Sequence, residues 1–214
     1  MTEYYVPSGP STTEFVEKKS RFIGQVSPAE TEEEARAFLE QVRKQHRDAR
    51  HNCWCYLIRS GNVVRCSDDG EPQGTAGQPM LEVFQRAQVT NAVCVVTRYF
   101  GGVLLGTGGL FRAYTRSARD ALEAAGISVV RRWVAGDVCC DYARYELVRR
   151  EVQGSDGVME DTRYGADVDM SVLIPEEKEA AFSSRLKELT AGTVQFQVRG
   201  EAFRAVPLQA GKKS

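Results

Sequence analysis

The chain has 214 residues, a formal net charge of −1 and 27% charged residues, a composition typical of a globular protein that builds its own core. No apolar run is long enough to span a membrane and no secretory-signal pattern precedes the first strand, so we expect a cytoplasmic protein. The six cysteines lie mostly in apolar, strand-like runs and are expected to be reduced core thiols, without a disulfide or a bound metal.

The first part of the chain alternates strand-like and helix-like patterns. One strand or a pair of strands is predicted over 15–26, and Thr31 followed by Glu34 predicts a capping box that opens a helix to about His46. Strands over 53–58 and 63–66, a helix from about Pro79 to Ala87 and a strand over 127–134 are also predicted. These patterns indicate an α+β domain.

The segment Val93–Ala125 reads as a strand, a glycine-rich loop and a helix. Its β-branched run is followed by five glycines in nine residues and then by apolar residues at helical spacing. The N–H groups at a helix start favour an anion, but neither a Walker loop nor a dinucleotide fingerprint is present. Residues 86–132 hold seven arginines against two acidic residues. The alternative interpretation is a tight turn beside the sheet, with the arginines on a solvated face.

The residues 67–79 form a second loop, long and without periodicity, and long ordered loops are often functional. Its Asp68, Asp69 and Glu71 could hold a hydrated cation, act as acid and base, or form a structural network with arginines. The cysteines near His51 lack zinc-site spacing, and no nucleophile–base pair stands at defined spacing. The sequence therefore favours a non-catalytic protein without metal or cofactor.

The pattern restarts after a boundary expected at residues 133–138. A strand, a helix, two strands, a helix and a strand follow, which is the order of a ferredoxin-like βαββαβ domain. Residues from Gly200 onward, including a tail over 206–214, are expected to be frayed. We expect this domain to bury the following side chains: Val138, Val168, Met170, Val172, Val194, Phe196 and Val198 in the sheet, and Leu147, Phe182, Leu186 and Leu189 on the helices.

Three motifs carry a family resemblance: H-N-C-W-C-Y at 51–56, D-D-G-E-P-Q-G-T-A-G-Q-P at 68–79 and R-Y-F-G-G-V-L-L-G-T-G-G-L-F-R-A-Y at 98–114. In this order and spacing they resemble the IMPACT family, in particular its bacterial YigZ-like members. The resemblance implies an N-terminal domain (1–135) of the left-handed βαβ type, shared with a ribosomal-protein domain and small-molecule kinases. It also implies a C-terminal domain (136–205) similar to domain V of elongation factor G.

The resemblance also supplies a functional hypothesis. Eukaryotic members regulate translation, and both domains resemble parts of the translation apparatus. We therefore expect a cytosolic, non-catalytic regulator of translation that binds RNA or the ribosome. Two alternatives stay open: an enzyme that binds a small molecule or a nucleotide phosphate at the Gly106–Gly109 loop, and a module that binds a protein partner. The sequence leaves the oligomeric state open.

The candidate site lies where the 68–79 loop meets the 98–109 loop. Arg98 and Arg112 could bind phosphate, and Tyr99, Phe100 and Tyr114 could stack on a base. In the alternative, the two loops lock one another and Arg98 neutralises Asp69. The predicted anion or nucleic-acid ligands are Arg98, Tyr99, Phe100, Gly101, Gly102, Gly106, Gly108, Gly109, Arg112, Tyr114 and Arg116, with His51, Asn52, Asp69, Glu71, Gly74, Thr75 and Gly77 as loop partners.

Overall fold

The computed structural model describes residues 3–208 as two compact units, one of residues 4–129 with 205–208 and one of residues 130–204 with Glu3. Each unit has its own hydrophobic core, and the secondary structure is α+β, as predicted. The last six residues of the predicted tail, 209–214, lie outside the described residues. Within residues 3–208, no helix is both long and apolar enough to cross a membrane.

The first unit is built on a five-stranded sheet with the order β2-β3-β6-β4-β5, in which every neighbouring pair is antiparallel. β3 and β4 therefore run parallel on either side of β6, and α1 joins them in a βαβ unit. The bounds are β1 (Tyr4–Pro7), β2 (Ser11–Glu17), β3 (Ser20–Pro28), α1 (Glu32–Gln45), β4 (His51–Ile58), β5 (Val63–Ser67), α2 (Gly77–Arg86), β6 (Ala92–Tyr99) and α3 (Thr107–Ala125).

Helices cover both faces of this sheet, which explains the unbroken apolar run of β6. Val93 and Val95 pack with α1, whereas Cys94 and Val96 face the cluster formed with α2 and α3. The start of α1 differs from the predicted capping box in one respect. The Thr31 hydroxyl accepts from the Glu34 N–H at 3.2 Å, as the box requires. The Glu34 carboxylate, however, accepts from the backbone N–H of Glu30 and not from that of Thr31.

α3 crosses very close to β3, and a glycine makes this approach possible. A Cβ atom at Gly24 would lie 2.7 Å from both the carbonyl oxygen and the hydroxyl of Ser117 on α3. Since backbone cannot move away as a flexible side chain can, position 24 excludes any larger residue without a shift of the helix. This contact fixes the height of α3 above the sheet.

The second unit has the βαββαβ order, and its strands are arranged β8-β9-β7-β10. Four helix side chains pack against the buried side chains of the sheet: Val148 and Val152 on α4, and Phe182 and Leu186 on α5. The bounds are β7 (Ile127–Cys140), α4 (Tyr142–Gly154), β8 (Val158–Tyr164), β9 (Val168–Pro175), α5 (Glu179–Leu189) and β10 (Phe196–Pro207).

Three expectations for this region were wrong. β7 is one 14-residue strand, although a break was predicted near Gly136. That glycine makes no turn; a Cβ atom there would lie 2.4 Å from the ring of Phe196, so the missing side chain makes room for packing. β10 continues to Pro207 instead of fraying from Gly200. Among the predicted core residues, Val198 is 55% exposed and Leu147 and Leu189 are each 37% exposed.

All six cysteines are free thiols, but only four of them are buried. Cys66 lies on the edge strand β5 and Cys139 on the outward-facing side of β7, and both are exposed. The expectation of core positions is therefore wrong for these two. Burial raises the pKa of the Cys66 thiol, and a hydrogen bond to Asp169 raises the pKa of Cys139 to about 11.

The first prediction tests the approach of α3 to β3. Gly24→Ala should lower the free energy of unfolding by about 1–3 kcal/mol, the usual cost of forcing a group into a packed interior. Gly9→Ala is the control, because a Cβ atom at Gly9 meets nothing within 4 Å, and it should change stability little. Urea denaturation of both variants measures the difference. Equal stabilities would show that the helix can move away at no cost.

The second prediction concerns the thiols. In the native protein, a disulfide reagent at mildly alkaline pH should modify Cys66 and Cys139, and the other four only after denaturation. The two exposed thiols should react more slowly than a free cysteine, because a raised pKa lowers the thiolate fraction. Fast reaction of a third thiol, or fewer than six thiols in denatured, unreduced protein, would contradict this assignment.

Candidate functional site

The register of the central strands brings the three sequence motifs together. β4 pairs with β6 so that His51 lies opposite Arg98. The loop of residues 68–76, called here the acidic loop, bonds to β4 and β6 at this end of the sheet. The loop of residues 100–106, called here the glycine loop, leaves the same end of β6 and leads into α3. The predicted meeting point of the two loops is thus where the central strands end.

Asp68 organises the acidic loop and the start of α2. Its carboxylate accepts hydrogen bonds from the backbone N–H groups of Gly74, Ala76 and Gly77 at 2.8–3.0 Å. It therefore caps α2, whose own N-cap residue provides no side-chain bond. The Thr75 hydroxyl also bonds within the loop. These loop partners bind one another and thereby shape the loop.

Asp69 ties the loop to β4 and α1. Its carboxylate accepts from the Asn52 N–H at 2.7 Å and from Arg43 at 3.1 Å. His51 Nδ1 donates to the Asp69 carbonyl at 2.8 Å, so Nε2 is the ring nitrogen left for a further partner. The Asn52 side chain is buried and accepts from the Thr97 hydroxyl. Of His51, Asn52 and Asp69, only His51 lines the surface recess described below.

Glu71 has the most buried carboxylate of the acidic loop. One of its carboxylate oxygens accepts from Arg98 at 2.7 Å and from the Tyr114 hydroxyl at 2.8 Å. The side chains of Arg98 and Glu71 are only 6% and 4% exposed. Arg98 also donates to Ser20 at 3.3 Å, so that one buried cluster connects β3, β6, α3 and the acidic loop.

Arg98 is a buried structural residue, and the pairing with Asp69 that the alternative interpretation gave it is wrong. Its partner is Glu71, while its guanidinium lies 5.5 Å from the ring centres of both Phe22 and Phe100. The Nε atom is buried and has no hydrogen-bond partner within residues 3–208. A guanidinium held in this way is not free to leave its carboxylate for a phosphate.

The three predicted stacking residues have different fates. Tyr114 is fully buried and cannot stack on a ligand; burial and the neighbouring Cys53 and Glu71 raise its pKa. The Tyr99 hydroxyl is held 3.0 Å from His46 Nδ1 and its ring is half-buried. Phe100 alone remains 46% exposed. Burial also raises the pKa of the Cys53 thiol, which makes it a poor nucleophile.

The glycine loop shapes the surface mainly through close packing. A Cβ atom at Gly101 would lie 2.0 Å from the backbone of Lys19, so the loop rests directly on the turn between β2 and β3. Gly106 has φ +72° and reverses the chain into α3. Gly102 and Gly108 are exposed, and Gly109 packs on Leu105. The glycines bring the start of α3 next to the hairpin turn.

The start of α3 carries positive charge without local compensation. The helix has no side-chain N-cap and no acidic residue in its first turn. Arg112 lies beside this turn, with Nη1 3.5 Å from where a Gly108 Cβ would be, and has no acidic partner in the described part of the chain. Arg116 differs, since it pairs with Asp120 at 3.3 Å and stacks on Phe15. An anion near the first turn would be stabilised.

Two recesses flank this helix start. The α3 cleft has a volume of about 390 Å³ and is lined by Arg50, His51, Phe100, Leu104, Leu105 and Thr107, with Glu71 and Arg98 at its base. The hairpin groove is smaller, about 140 Å³, and is lined by Phe15, Glu17, Lys18, Leu105, Gly109, Arg112, Ala113 and Arg116. Leu105 lines both. The two recesses are therefore neighbours on one surface.

Sequence reasoning missed several residues of these recesses, among them Lys18, Arg50, Leu104 and Leu105. Lys18 stands in a turn with φ +45°, and Arg50 directly precedes the first motif. The sequence pattern did not mark Lys18 and Arg50 as site residues, because exposed basic residues are common on any protein surface. Leu104, 82% exposed, was detectable as an apolar residue inside a glycine-rich loop.

The structure is thus an α+β protein of two units, and the comparisons match one family model to the main part of each. The Impact N-terminal domain family matches residues 18–122, and a domain of unknown function (DUF1949) matches residues 138–193. A solved structure, described as an hypothetical protein, has a TM-score of 0.59 and 34% identity over 94% of this chain and 98% of its own.

The chain belongs to the IMPACT family. It is 37% identical to IMPACT family member YvyE of Bacillus subtilis, over 88% of each chain. It is 35% identical to IMPACT family member YigZ of Escherichia coli, over 91% of this chain and 97% of that protein. The predicted family resemblance, including its YigZ-like character, is confirmed.

The third prediction tests whether the Arg98–Glu71 pair is structural. Glu71→Gln removes the partner of a buried charge and should lower the free energy of unfolding by about 3–5 kcal/mol. The control is Glu14→Gln, which breaks a pair with Arg21 of the same length, 2.7 Å, whose side chains are 50% and 44% exposed. That variant should change stability far less, because water screens an exposed ion pair. Similar costs in urea denaturation would argue against a structural role.

Proposed function

We propose that this protein binds RNA through the surface around the start of α3 and that it regulates translation in the cytoplasm. The observation that carries the proposal is the uncompensated positive charge at this helix start, next to exposed aromatic and aliphatic side chains. Single-stranded nucleic acids are bound by this combination of cations for the phosphates and apolar faces for the bases. The free state of all six thiols supports a reducing compartment.

The charges around the site fall into two groups. Arg21, Arg43 and Arg116 each form an ion pair with an acidic residue. Four other cations near the recesses, Lys18, Lys19, Arg50 and Arg112, have no acidic partner within residues 3–208. Cations of the second group are free to neutralise phosphates and release counterions, which is the main source of affinity for RNA.

The exposed apolar residues lie on the same stretch of chain. Phe100 is 46% exposed, Leu104 82% and Phe111 43%, and all three belong to the glycine loop or the first turns of α3. Large apolar side chains grouped next to unpaired cations are typical of a binding surface. Their position supports RNA over a small inorganic anion, which has no apolar part to bury.

Fold analogy gives further support. The resemblance of the two domains to a ribosomal-protein domain and to domain V of elongation factor G connects the chain with the translation apparatus. Fold alone does not determine function, so this argument is weaker than the charge distribution. A nucleotide-phosphate enzyme would use the same helix start, and a protein-binding module would not need its cations.

The fourth prediction is that Arg112→Gln weakens RNA binding. Anisotropy with a short fluorescent single-stranded RNA at low salt should show reduced affinity, and the slope of log K against log salt should fall by about 0.7 for each phosphate that is no longer neutralised. Arg86→Gln on α2 removes the same charge from a residue that pairs with Glu82 and lines neither recess. It should leave both affinity and slope nearly unchanged.

Three results would count against the proposal. Wild-type protein that binds no RNA at low salt would exclude it directly. Equal effects of Arg112→Gln and Arg86→Gln would show attraction by net charge and no defined surface. A thermal shift with a free nucleotide, without RNA binding, would favour the enzyme alternative, because only a ligand of the native state stabilises it.

A further inference from the structure

The α3 cleft differs in chemistry from the hairpin groove beside it. Its walls include Phe100, Leu104, Leu105 and Leu110. The groove is instead lined by three cations, Lys18, Arg112 and Arg116, against one acidic residue, Glu17. We infer that the α3 cleft takes one unpaired base of a single-stranded RNA, while the groove takes its phosphate. This inference rests on the RNA binding proposed above.

The size of the cleft suits a single nucleotide. Its volume of about 390 Å³ lies at the lower end of the range for small-ligand sites. A flat ring system with its sugar fits into such a space. In a duplex, however, each base is stacked and paired, so only an unpaired or flipped-out base can enter a recess in a protein.

Phe100 offers a stacking face that is already held in place. Its ring lies 5.5 Å from the Arg98 guanidinium, which is fixed by Glu71 and Ser20. The ring remains 46% exposed, so a base can reach it. Because the platform is positioned before the ligand arrives, stacking costs little conformational entropy. Arg98 therefore acts as a positioning residue for this site.

Leu104 gives a second apolar contact for the base. It is the most exposed large apolar side chain of the described residues, at 82%, and it lies at the edge of the same cleft. The free energy of binding becomes more favourable when a ligand covers an apolar side chain that was exposed to water. A base that stacks on Phe100 and contacts Leu104 would remove both side chains from water.

Polar groups in the cleft match the edge of a base. His51 Nδ1 bonds to the Asp69 carbonyl, so Nε2 is the ring nitrogen left to meet a polar group on the edge of a base. Arg50 has no acidic partner in the described structure and can donate. The Thr107 hydroxyl can do either. Such edge contacts distinguish a base from a purely apolar ligand.

Leu105 connects the base and phosphate positions. It lines both recesses, so a strand with its base in the cleft can place the adjoining phosphate near Lys18 and Arg112 in the groove. Contacts to phosphate position the strand, and contacts to the base add selectivity for unpaired RNA. Charge complementarity and the apolar cleft therefore point to the same ligand.

The test compares three fluorescent probes of equal phosphate number: a single-stranded RNA, a blunt duplex RNA and an abasic single strand. Wild type should bind the first most tightly. Leu104→Ser should weaken single-stranded RNA binding about fivefold or more, because the base no longer has an apolar side chain to cover, without changing the salt slope. Leu104→Ser should leave binding of the duplex and of the abasic strand unchanged.

The control is Val103→Ser, in the same loop but lining neither recess, and it should have no effect on binding of any probe.

The outcomes separate this inference from the proposed function. If RNA binds and Arg112→Gln weakens it, but the three probes bind equally well, the protein binds RNA and the base site is wrong. Equal effects of Leu104→Ser and Val103→Ser on single-stranded RNA also overturn the base site. Absence of binding by every probe would reject the proposed function itself. Circular dichroism confirms that both variants are folded, which these exposed positions should allow.

Discussion

The buried ion pair between Arg98 and Glu71 is the interaction on which the first unit depends. Burial of two charges costs several kcal/mol per ion, and only close pairing with further hydrogen bonds offsets that cost. Here Ser20 and Tyr114 supply those bonds, and two aromatic rings flank the guanidinium. Because the members come from two strands, a loop and α3, the pair determines how these elements meet.

The acidic side chains of the acidic loop all have internal hydrogen-bond or ion-pair partners. Asp68 is neutralised by three backbone N–H groups, Asp69 by Arg43 and the Asn52 N–H, and Glu71 by Arg98. The negative charges are thus balanced by internal partners. Exposed cations without such a partner within residues 3–208, Lys18 and Arg112, lie near the start of α3, with Glu17 as the acidic residue of the same groove.

The sequence predicted the element order well, because that order depends on local patterns. Thr31 does cap α1, and the glycines do precede a helix. The break in β7 was wrong because a glycine such as Gly136 serves a turn or a close contact, and only the position of Phe196 decides between them. The pairing of Arg98 with Glu71 instead of Asp69 likewise depends on how the acidic loop packs onto β6, which no local pattern contains.

The residues with the strongest sequence signal therefore form the buried network, while residues with a weak signal line the exposed recesses. Arg98, Glu71 and Tyr114 need a specific identity because each has several partners at fixed distances in a dry interior. By contrast, Lys18, Arg50 and Leu104 are exposed at the recesses, where another side chain of similar charge or hydrophobicity could replace each of them. A rigid internal network beneath a surface of replaceable residues allows the same scaffold to hold Phe100 in place while the outer contacts vary. The specificity of such a surface depends on the platform that the ion pair supports more than on any single exposed cation.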